Sequence, residues 1–433
     1  MGGSVRDALL DRASPDLDFA TDASPDAIRG IVGDWADDLY LAGQRFGTIG
    51  AIKDGEIYEI TTFRSEIYER DSRKPIVTFS DHIEADLARR DFTVNAMAIK
   101  LPGVGGDTPE MVDPFGGLND LAGRLLRCPT DAETSFGDDP LRMLRLFRFV
   151  STLGFSADPD VARSVVDMRE RLDVVSRERI QVEFDKLMVG PNVGPALSGL
   201  LESGLAEQFI PEIPALAVEQ DPMHRHKDVL AHTIAVVEKT SPKRLVVRLA
   251  ALFHDIGKPA TRRFEGGKVM FHHHEVVGAR MTRERMRAMR YPKQMVADVS
   301  KLVFLHMRPH TYAMGWTDSA VRRYVRDASP LVDELNELVR CDVTTGNAKR
   351  ARAIQRRIDE LEVRIEELAK EEEINALRPP INGTQVIEHL GVEPGPIIGE
   401  AMKMLLERRI DDGPYSEEEA FAMLDEFSKA HGL

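Results

Sequence analysis

From about residue 116 to its C-terminus the chain carries helical periodicity with almost no strand signal, whereas residues 1–100 alternate short apolar runs with turns. That break restricts the fold to a small mixed α+β unit followed by a long all-α body. A length of 433 residues accommodates roughly two to four domains. We expect boundaries at 1–115, 116–220, 221–346 and 347–433, the last a helical tail.

The mixed unit opens on Gly2-Gly3-Ser4-Val5-Arg6-Asp7, followed by Asp16-Leu17-Asp18-Phe19-Ala20-Thr21. If Asp16 to Ala20 is a strand, Asp16 and Asp18 share one face while Leu17 and Phe19 bury on the other. Two carboxylates aimed at one spot repel unless cations sit there, and hard oxygen ligands suit Mg²⁺ with substrate phosphates completing its shell. Gly2 and Gly3 allow close backbone approach, and a helix predicted over Ser4–Leu10 turns its first N–H groups toward an anion. Taken singly, the glycine pair also fits a plain turn and the Asp-x-Asp pattern a surface strand. The segments 47–52 and 57–62 read as a hairpin around Lys53-Asp54-Gly55. Glu59, on its second strand, either adds a third carboxylate to Asp16 and Asp18 or faces solvent. Residues 65–82, rich in charge and containing Pro75, read as a mobile loop.

The net charge of −15 argues mildly against nucleic acid as a partner, but phosphate contacts need only a local basic face. Arg142, Arg145 and Arg148 recur at helical spacing beside Leu141, Leu144, Phe147 and Phe149. Lys349, Arg350, Arg352, Arg356 and Arg357 form a second basic run. Both also fit a solvated helix face, the second more readily than the first. No apolar run is long enough to span a membrane, and no charged-then-apolar leader is evident. Cys128 and Cys341 lack metal-knuckle spacing, which suits a reducing cytoplasm.

Arg89-Arg90-Asp91-Phe92-Thr93-Val94-Asn95-Ala96 sets two guanidinium groups for phosphate clamping beside a carboxylate able to accept from a ribose hydroxyl. In Gly137-Asp138-Asp139-Pro140-Leu141-Arg142, Pro140 starts a helix and Asp139 and Arg142 are neighbours on one face. Cytosine and adenine both present an exocyclic amine next to an unprotonated ring nitrogen, so an acceptor (Asp139) beside a donor (Arg142) fits both. Guanine and uracil would leave groups unpaired at about 1–3 kcal/mol each. A simple salt bridge at a helix start is the alternative.

With these motifs in order, the sequence resembles the class II tRNA nucleotidyltransferases, the CCA-adding enzymes and their bacterial poly(A) polymerase relatives. The matching segments are GGSVRD (2–7), DLDFAT (16–21), RRDFTVNAMA (89–98), DPFGGLNDL (113–121), GDDPLRMLRLFRF (137–149) and SRERIQVEF (176–184). The resemblance implies a polymerase-β-like palm in a nucleotidyltransferase head (1–115), then a helical neck binding nucleotide and RNA (116–220). It implies Asp16 and Asp18 as catalytic and Mg²⁺-binding; Glu59 is the further catalytic candidate that the strand reading offers. Gly2, Gly3, Ser4, Arg6, Arg90, Asp91, Asn95, Arg145 and Arg148 would bind nucleotide, and Asp139 with Arg142 would read the base. The family commonly has Glu-Asp where this chain has Asp138-Asp139; because Asp139 is retained, base choice is expected to survive. The implied reaction is in-line attack of an RNA 3′-hydroxyl on the α-phosphate of CTP or ATP, releasing pyrophosphate. The partners would be tRNA, ATP and CTP, and the oligomeric state monomer or homodimer. Poly(A) addition, or addition of only part of CCA, is the near alternative.

The second half carries His232, Ala250-Ala-Leu-Phe-His254-Asp255-Ile-Gly-Lys258, His272-His273-His274-Glu275 and His306 among 12 histidines. Imidazole–carboxylate clusters bind divalent metals. The pattern resembles the HD phosphohydrolase domain, implying His232, His254 and Asp255 as ligands of a divalent metal whose identity stays open. Asp342 would be the closing aspartate, with His273, His274 and His306 available for a second position. A metal phosphohydrolase with an inert transferase half, or an HD domain serving as scaffold, remains an alternative.

In the tail, Ile354, Ile358, Leu361, Ile365 and Leu368 form a short seam that either pairs in a dimer or, as its brevity favours, folds back on the body. Gly391-Val-Glu-Pro-Gly-Pro-Ile-Ile-Gly399 opens another helix, as an RNA-phosphate contact or as a plain cap. Because the family normally has a helix and an apolar strand before the glycines, Met1 is expected to be an internal or misassigned start, leaving a strand neighbour unpaired beside the site.

Overall fold

The computed structural model describes residues 1–12, 17–67, 76–103, 108–218, 228–265, 268–314, 316–343, 348–372 and 378–433. The chain packs as two compact units, Met1–Ala215 with Ala288–Tyr291 and Leu216–Arg287 with Pro292–Leu433.

The first unit opens with α1 (Gly3–Leu9), β1 (Leu17–Thr21), α2 (Pro25–Val32), β2 (Asp38–Tyr40), β3 (Thr48–Lys53) and β4 (Glu56–Thr62). Its sheet runs β1-β4-β3-β2, with β1 parallel to β4 and the remaining pairs antiparallel. The expected hairpin is present: Lys53 pairs with Glu56, and Asp54 and Gly55 both have positive φ, the requirement of a two-residue turn matched to strand twist. Helix α1 starts one residue earlier than expected.

The expectation of a loop over 65–82 is corrected at both ends. β5 (Arg64–Ile67) and β6 (Ile76–Phe79) pair antiparallel, because short β-branched and aromatic runs flank the charged stretch. Its central residues 68–75 lie outside the described ones. α3 (Ile83–Ala88) leads into the Arg89-Arg90-Asp91 segment, followed by β7 (Ala98–Lys100), β8 (Glu110–Val112) and α4 (Gly117–Gly123).

Beyond residue 116 helices dominate, as expected: α5 (Ala132–Asp138), α6 (Leu141–Leu153), α7 (Pro159–Met168), α8 (Arg177–Met188) and α9 (Val193–Glu202). Two-residue strands β9 (Leu125–Leu126) and β10 (Ser156–Ala157) make a minor parallel pair. Helix α6 is the centre of this part, packed on α8 and α9, with Met143, Leu144 and Leu146 fully buried. Phe184 of α8 meets Phe209 edge to face at 5.4 Å, both buried.

The second unit contains α10 (Val229–Lys239), α11 (Leu245–Phe253), α12 (Lys258–Thr261), the hairpin β11 (Arg262–Glu265) and β12 (Lys268–Phe271), α13 (His274–Ala288), α14 (Lys293–Leu305), α15 (Asp318–Ala328) and α16 (Val332–Cys341). Its tail is α17 (Ala348–Glu372), α18 (Gly383–Leu390), α19 (Pro396–Asp412) and α20 (Glu417–His431). The apolar seam of α17 folds back: Ile358, Leu361 and Leu368 are buried, and the helix packs on α15 and α16. Ion pairs of Arg340 with Asp359 and Glu362, and of Arg364 with Asp318, fix that packing. Pro396 begins α19, as expected. The tail has its own apolar cluster, including Val386, Leu405, Leu424 and Phe427. Lys349, Arg352, Arg356 and Arg357 are exposed on α17.

Truncating Phe184 to alanine removes a packed aromatic from the core around α6. The expected cost is about 3–5 kcal/mol, read as a lowered urea midpoint; a loss below about 1 kcal/mol would contradict this packing.

Candidate active sites

Within the first unit, α6 turns its arginines toward the segment that follows α3. The spacing of Arg142, Arg145 and Arg148 puts them on one helix face, and because the rest of α6 is buried, that face forms the wall of a cavity. The cavity measures about 730 Å³, and eight cations (Arg6, Arg64, Arg89, Arg90, Arg142, Arg145, Arg148 and Lys186) line it against three carboxylates, Asp18, Asp91 and Asp139. Such a concentration of positive charge in a chain of net charge −15 suits a polyanion.

Asp91 ties the two sides together. Its Oδ1 accepts from Phe92 N (2.8 Å) and Asn95 Nδ2 (2.9 Å), and its Oδ2 from Arg145 Nε (2.8 Å) and Arg145 Nη2. Burial pushes its carboxyl up, but the Arg145 guanidinium and the Asn95 amide outweigh this and hold it well below the usual carboxylate range. Both oxygens are thus engaged from within the protein, so in this arrangement Asp91 anchors Arg145 instead of offering a free acceptor to a ribose.

Arg142 is buried and donates to Ser135 Oγ (2.8 Å), Ser135 O (3.3 Å) and Arg89 O. Asp139, three residues earlier, accepts from Leu141 N (3.2 Å) and from Arg179 Nη2 (2.9 Å). Both line the cavity, and each is held by other groups: Asp139 by Arg179, Arg142 by Ser135 and the Arg89 carbonyl. Arg148 lies 4.0 Å over the Phe149 ring, with Arg6 and Arg145 near the same ring. Burial, then the adjacent Arg145 charge, lowers its pKa to about 10. Arg6 also forks onto Asp7 and donates to Asn95 Oδ1.

Arg90 packs against Gly2. A Cβ there would stand 2.1 Å from Arg90 Nη1, and Gly2 also has φ +75°, so both sterics and backbone demand glycine. Gly3 lines the cavity, whereas Ser4 spends its hydroxyl on Met1 O at 3.0 Å. Asp18 lies on β1 in register with Glu59 of β4, which puts the two carboxylates on one sheet face. Glu59 is exposed and does not line the cavity. Asp16 lies outside the described residues.

Sequence reasoning missed the groups behind the wall. Glu183 is buried and contacts Arg148 Nε (3.1 Å) and Arg145 Nη1 (3.6 Å). Arg179, which is exposed, holds Asp139; Arg179 and Glu183 both sit in the 176–184 segment, whose resemblance to the family motif was the available signal. The 113–121 segment braces the site: Asp113 accepts from Gly117 N (2.6 Å) and Leu118 N (2.9 Å), and buried Asp120 accepts from Thr93 Oγ1 (2.7 Å).

A separate cluster occupies the second unit, built from helix ends. His254 follows α11, His306 follows α14, Asp342 follows α16, and His274 begins α13. The Nδ1 atoms of His254, His274 and His306 lie 2.7, 2.9 and 2.6 Å from the carbonyls of Ala251, Phe271 and Val303. A carbonyl only accepts, so Nδ1 carries the proton and Nε2 turns inward as a ligand. His232 Nε2 is 2.9 Å from Asp342 Oδ1, and His254 Nε2 is 3.2 Å from Asp255 Oδ2. Two groups result, His232-His254-Asp255 and Asp255-His274-His306, sharing Asp255. His310, not anticipated, stands 3.4 Å from Asp342 Oδ2.

His273 is corrected: it has φ +57°, is exposed and turns to Glu275, leaving His274 and His306 for the second group. Burial disfavours a proton on His254, yet Asp255 and Asp342 outweigh it and raise its pKa to about 10; a place that favours positive charge at Nε2 so strongly suits a cation. Burial, then the His254 charge, lowers His306 to about 3. Gly257 permits the assembly, since a Cβ there would be 2.2 Å from His274 O.

Comparison with known proteins adds to this geometry. Residues 1–127 match the Poly A polymerase head domain, residues 154–216 the probable RNA and SrmB-binding site of polymerase A, and residues 227–346 the HD domain. The chain is 41% identical over 210 residues to a CCA-adding enzyme of Bacillus licheniformis, covering 48% of this chain and 50% of that one. It is 37% identical over 265 residues to one from Geobacillus thermodenitrificans, covering 61% and 60%. The aligned region thus spans about half the length of the curated relatives it matches. The structure resembles that of a Bacillus stearothermophilus CCA-adding enzyme in complex with CTP, with a TM-score of 0.67 at 25% identity over 100% of this chain and 93% of that one. It shares its fold with a Thermotoga maritima CCA-adding enzyme complexed with tRNA, at a TM-score of 0.59 and 18% identity over 98% and 90%. With an arginine-lined cavity and a histidine–aspartate cluster on one polypeptide, the chain carries a Poly A polymerase head domain, an RNA-binding segment of the polymerase A type and an HD domain, and is similar to CCA-adding enzymes.

Proposed function

We propose that this protein adds C and A to the 3′ end of tRNA from CTP and ATP without a nucleic-acid template. The observation that carries the reading is the cavity whose wall sets Asp139 and Arg142 beside six further arginines. The arginines suit the triphosphate. Asp139 as acceptor and Arg142 as donor match cytosine and adenine and leave guanine and uracil unpaired. Relatives named CCA-adding enzymes support this reading.

In this reading Arg6, Arg90, Arg145 and Arg148 grip phosphates, Gly2 and Gly3 give close backbone approach, Ser4 stabilises the turn, and Asn95 links Arg6 to Asp91. Asp16 and Asp18, with Glu59 on the same sheet face, would hold Mg²⁺, which when bound supplies activation of the 3′-hydroxyl and stabilisation of the leaving pyrophosphate. Asp91 keeps Arg145 in place, so positioning and electrostatics carry the transfer without a covalent enzyme intermediate. The domain limits at 115, 220 and 346 then separate head, neck, HD domain and tail.

In the HD domain, His232, His254, Asp255 and Asp342 would hold one divalent cation, and His274 and His306, with Asp255, a second. The donor set, inward Nε2 atoms plus shared carboxylates, fits that class of ion, which when bound supplies a water nucleophile for phosphate-ester hydrolysis. The cytoplasm is the proposed compartment, consistent with the buried free thiols of Cys128 and Cys341; among the described residues no helix is long and apolar enough to cross a membrane.

The deciding assay offers purified protein a tRNA lacking its 3′ CCA together with labelled CTP and ATP. C followed by A is expected; A alone favours poly(A) or partial addition, and no incorporation overturns the transferase reading. Asp18→Ala should lower incorporation by about 100- to 1,000-fold while His254→Ala leaves it intact. Conversely, His254→Ala or EDTA should abolish hydrolysis of a 2′,3′-cyclic nucleotide while Asp18→Ala retains it; hydrolysis that survives His254→Ala excludes this metal cluster as its source. Replacing Asp139 with alanine should relax base choice, raising UTP use relative to CTP by about 5- to 100-fold; unchanged selectivity would remove Asp139 from base reading.

A further inference from the structure

Behind the cavity wall lies a carboxylate that does not line the cavity. Asp86 of α3 is 0% exposed. It accepts from Arg89 Nε at 3.1 Å and Arg89 Nη2 at 2.6 Å, and from Arg90 Nη2 at 3.5 Å. Its positions relative to these arginines, i+3 and i+4, let one buried acid reach both. Arg90 is further confined by Gly2 and by Asn95 O at 3.3 Å.

We propose that Asp86 is a positioning residue for triphosphate binding, acting through Arg89 and Arg90; the proposal rests on the nucleotidyltransferase reading of this cavity. Eight cations around one cavity repel one another, and long side chains without fixed partners lose rotamer entropy when a ligand orders them. A buried counter-charge reduces the first cost and removes part of the second before the ligand arrives. The wall repeats this device: Asp91 fixes Arg145, and Glu183 lies against Arg145 and Arg148. Like Glu183 and unlike Asp91, Asp86 is not part of the cavity lining, so its contacts reach the cavity through the two guanidiniums.

Asp86→Asn keeps the shape and removes the charge. Titration of the full-length protein with inorganic tripolyphosphate by calorimetry should show at least a tenfold weaker affinity in Asp86→Asn. The KM for CTP should rise in parallel, with kcat within about threefold and the KM for tRNA unchanged. The decisive arm is a cycle: added to Arg89→Ala/Arg90→Ala, Asp86→Asn should cost no further affinity, whereas a further tenfold loss would assign Asp86 a general structural role and overturn the proposal. Unchanged affinity in Asp86→Asn, or no tripolyphosphate binding by the wild type, also overturns it.

Should Asp86→Asn fail to fold, the wild-type protein still tests the idea. An Arg89 Nε–H held by Asp86 gives a slowly exchanging NMR signal, assigned by its loss in Arg89→Lys; rapid exchange would overturn the preset geometry. Tripolyphosphate binding without nucleotide incorporation would defeat the transferase reading and leave the positioning role standing. An unchanged KM for CTP in Asp86→Asn, with incorporation intact, would do the reverse.

Discussion

The Asp91–Arg145 pair is the interaction on which the first unit's site depends. It joins the segment after α3 to the middle of α6, so that an arginine face is turned toward the head's sheet instead of toward water. Buried ion pairs contribute little to net stability after desolvation. Their value here is geometric: Asp91 also receives Asn95 and the Phe92 amide, so four donors converge on one carboxylate and leave it no alternative arrangement. The remaining cations are then placed relative to a fixed point.

The same economy governs the second unit with different chemistry. Carbonyls in the last turn of a helix lack intrahelical partners, and those of Ala251 and Val303 receive imidazole Nδ1 atoms, while His274 Nδ1 is met by the carbonyl of Phe271 at the end of β12. One hydrogen bond satisfies the backbone, sets the tautomer and aims Nε2. Asp255, shared between the two groups, makes them a single electrostatic unit. Close approach at Gly257 brings His274 into range.

Much of this was legible in the chain. Arg142, Arg145 and Arg148 announce a basic face by their period of three, and the 53–55 turn announces the hairpin by its chemistry. The motif order indicated which residues belong to one site. His273 shows where reading stopped: three consecutive histidines are equivalent as letters, but only the backbone at the start of α13 decides that His274 turns inward. The ends of the 65–82 segment show a second limit: charge density masks short strand-forming runs, and strand pairing is decided by a partner rather than by local composition.

Asp86 and Glu183 carry no distinctive local signature of their own, since a carboxylate three or four residues from an arginine is an ordinary surface pattern. Burial makes them different, and burial is a property of the assembled core. The sequence by itself determined the order of the parts, a mixed head and helical body, and the residue types able to hold phosphate, base and metal, because local periodicity and side-chain chemistry suffice for those. Only the tertiary structure decided which acids face the cavity and which stand behind it, and which histidines converge. Those outcomes depend on contacts between segments distant in the chain, whose geometry no local pattern encodes.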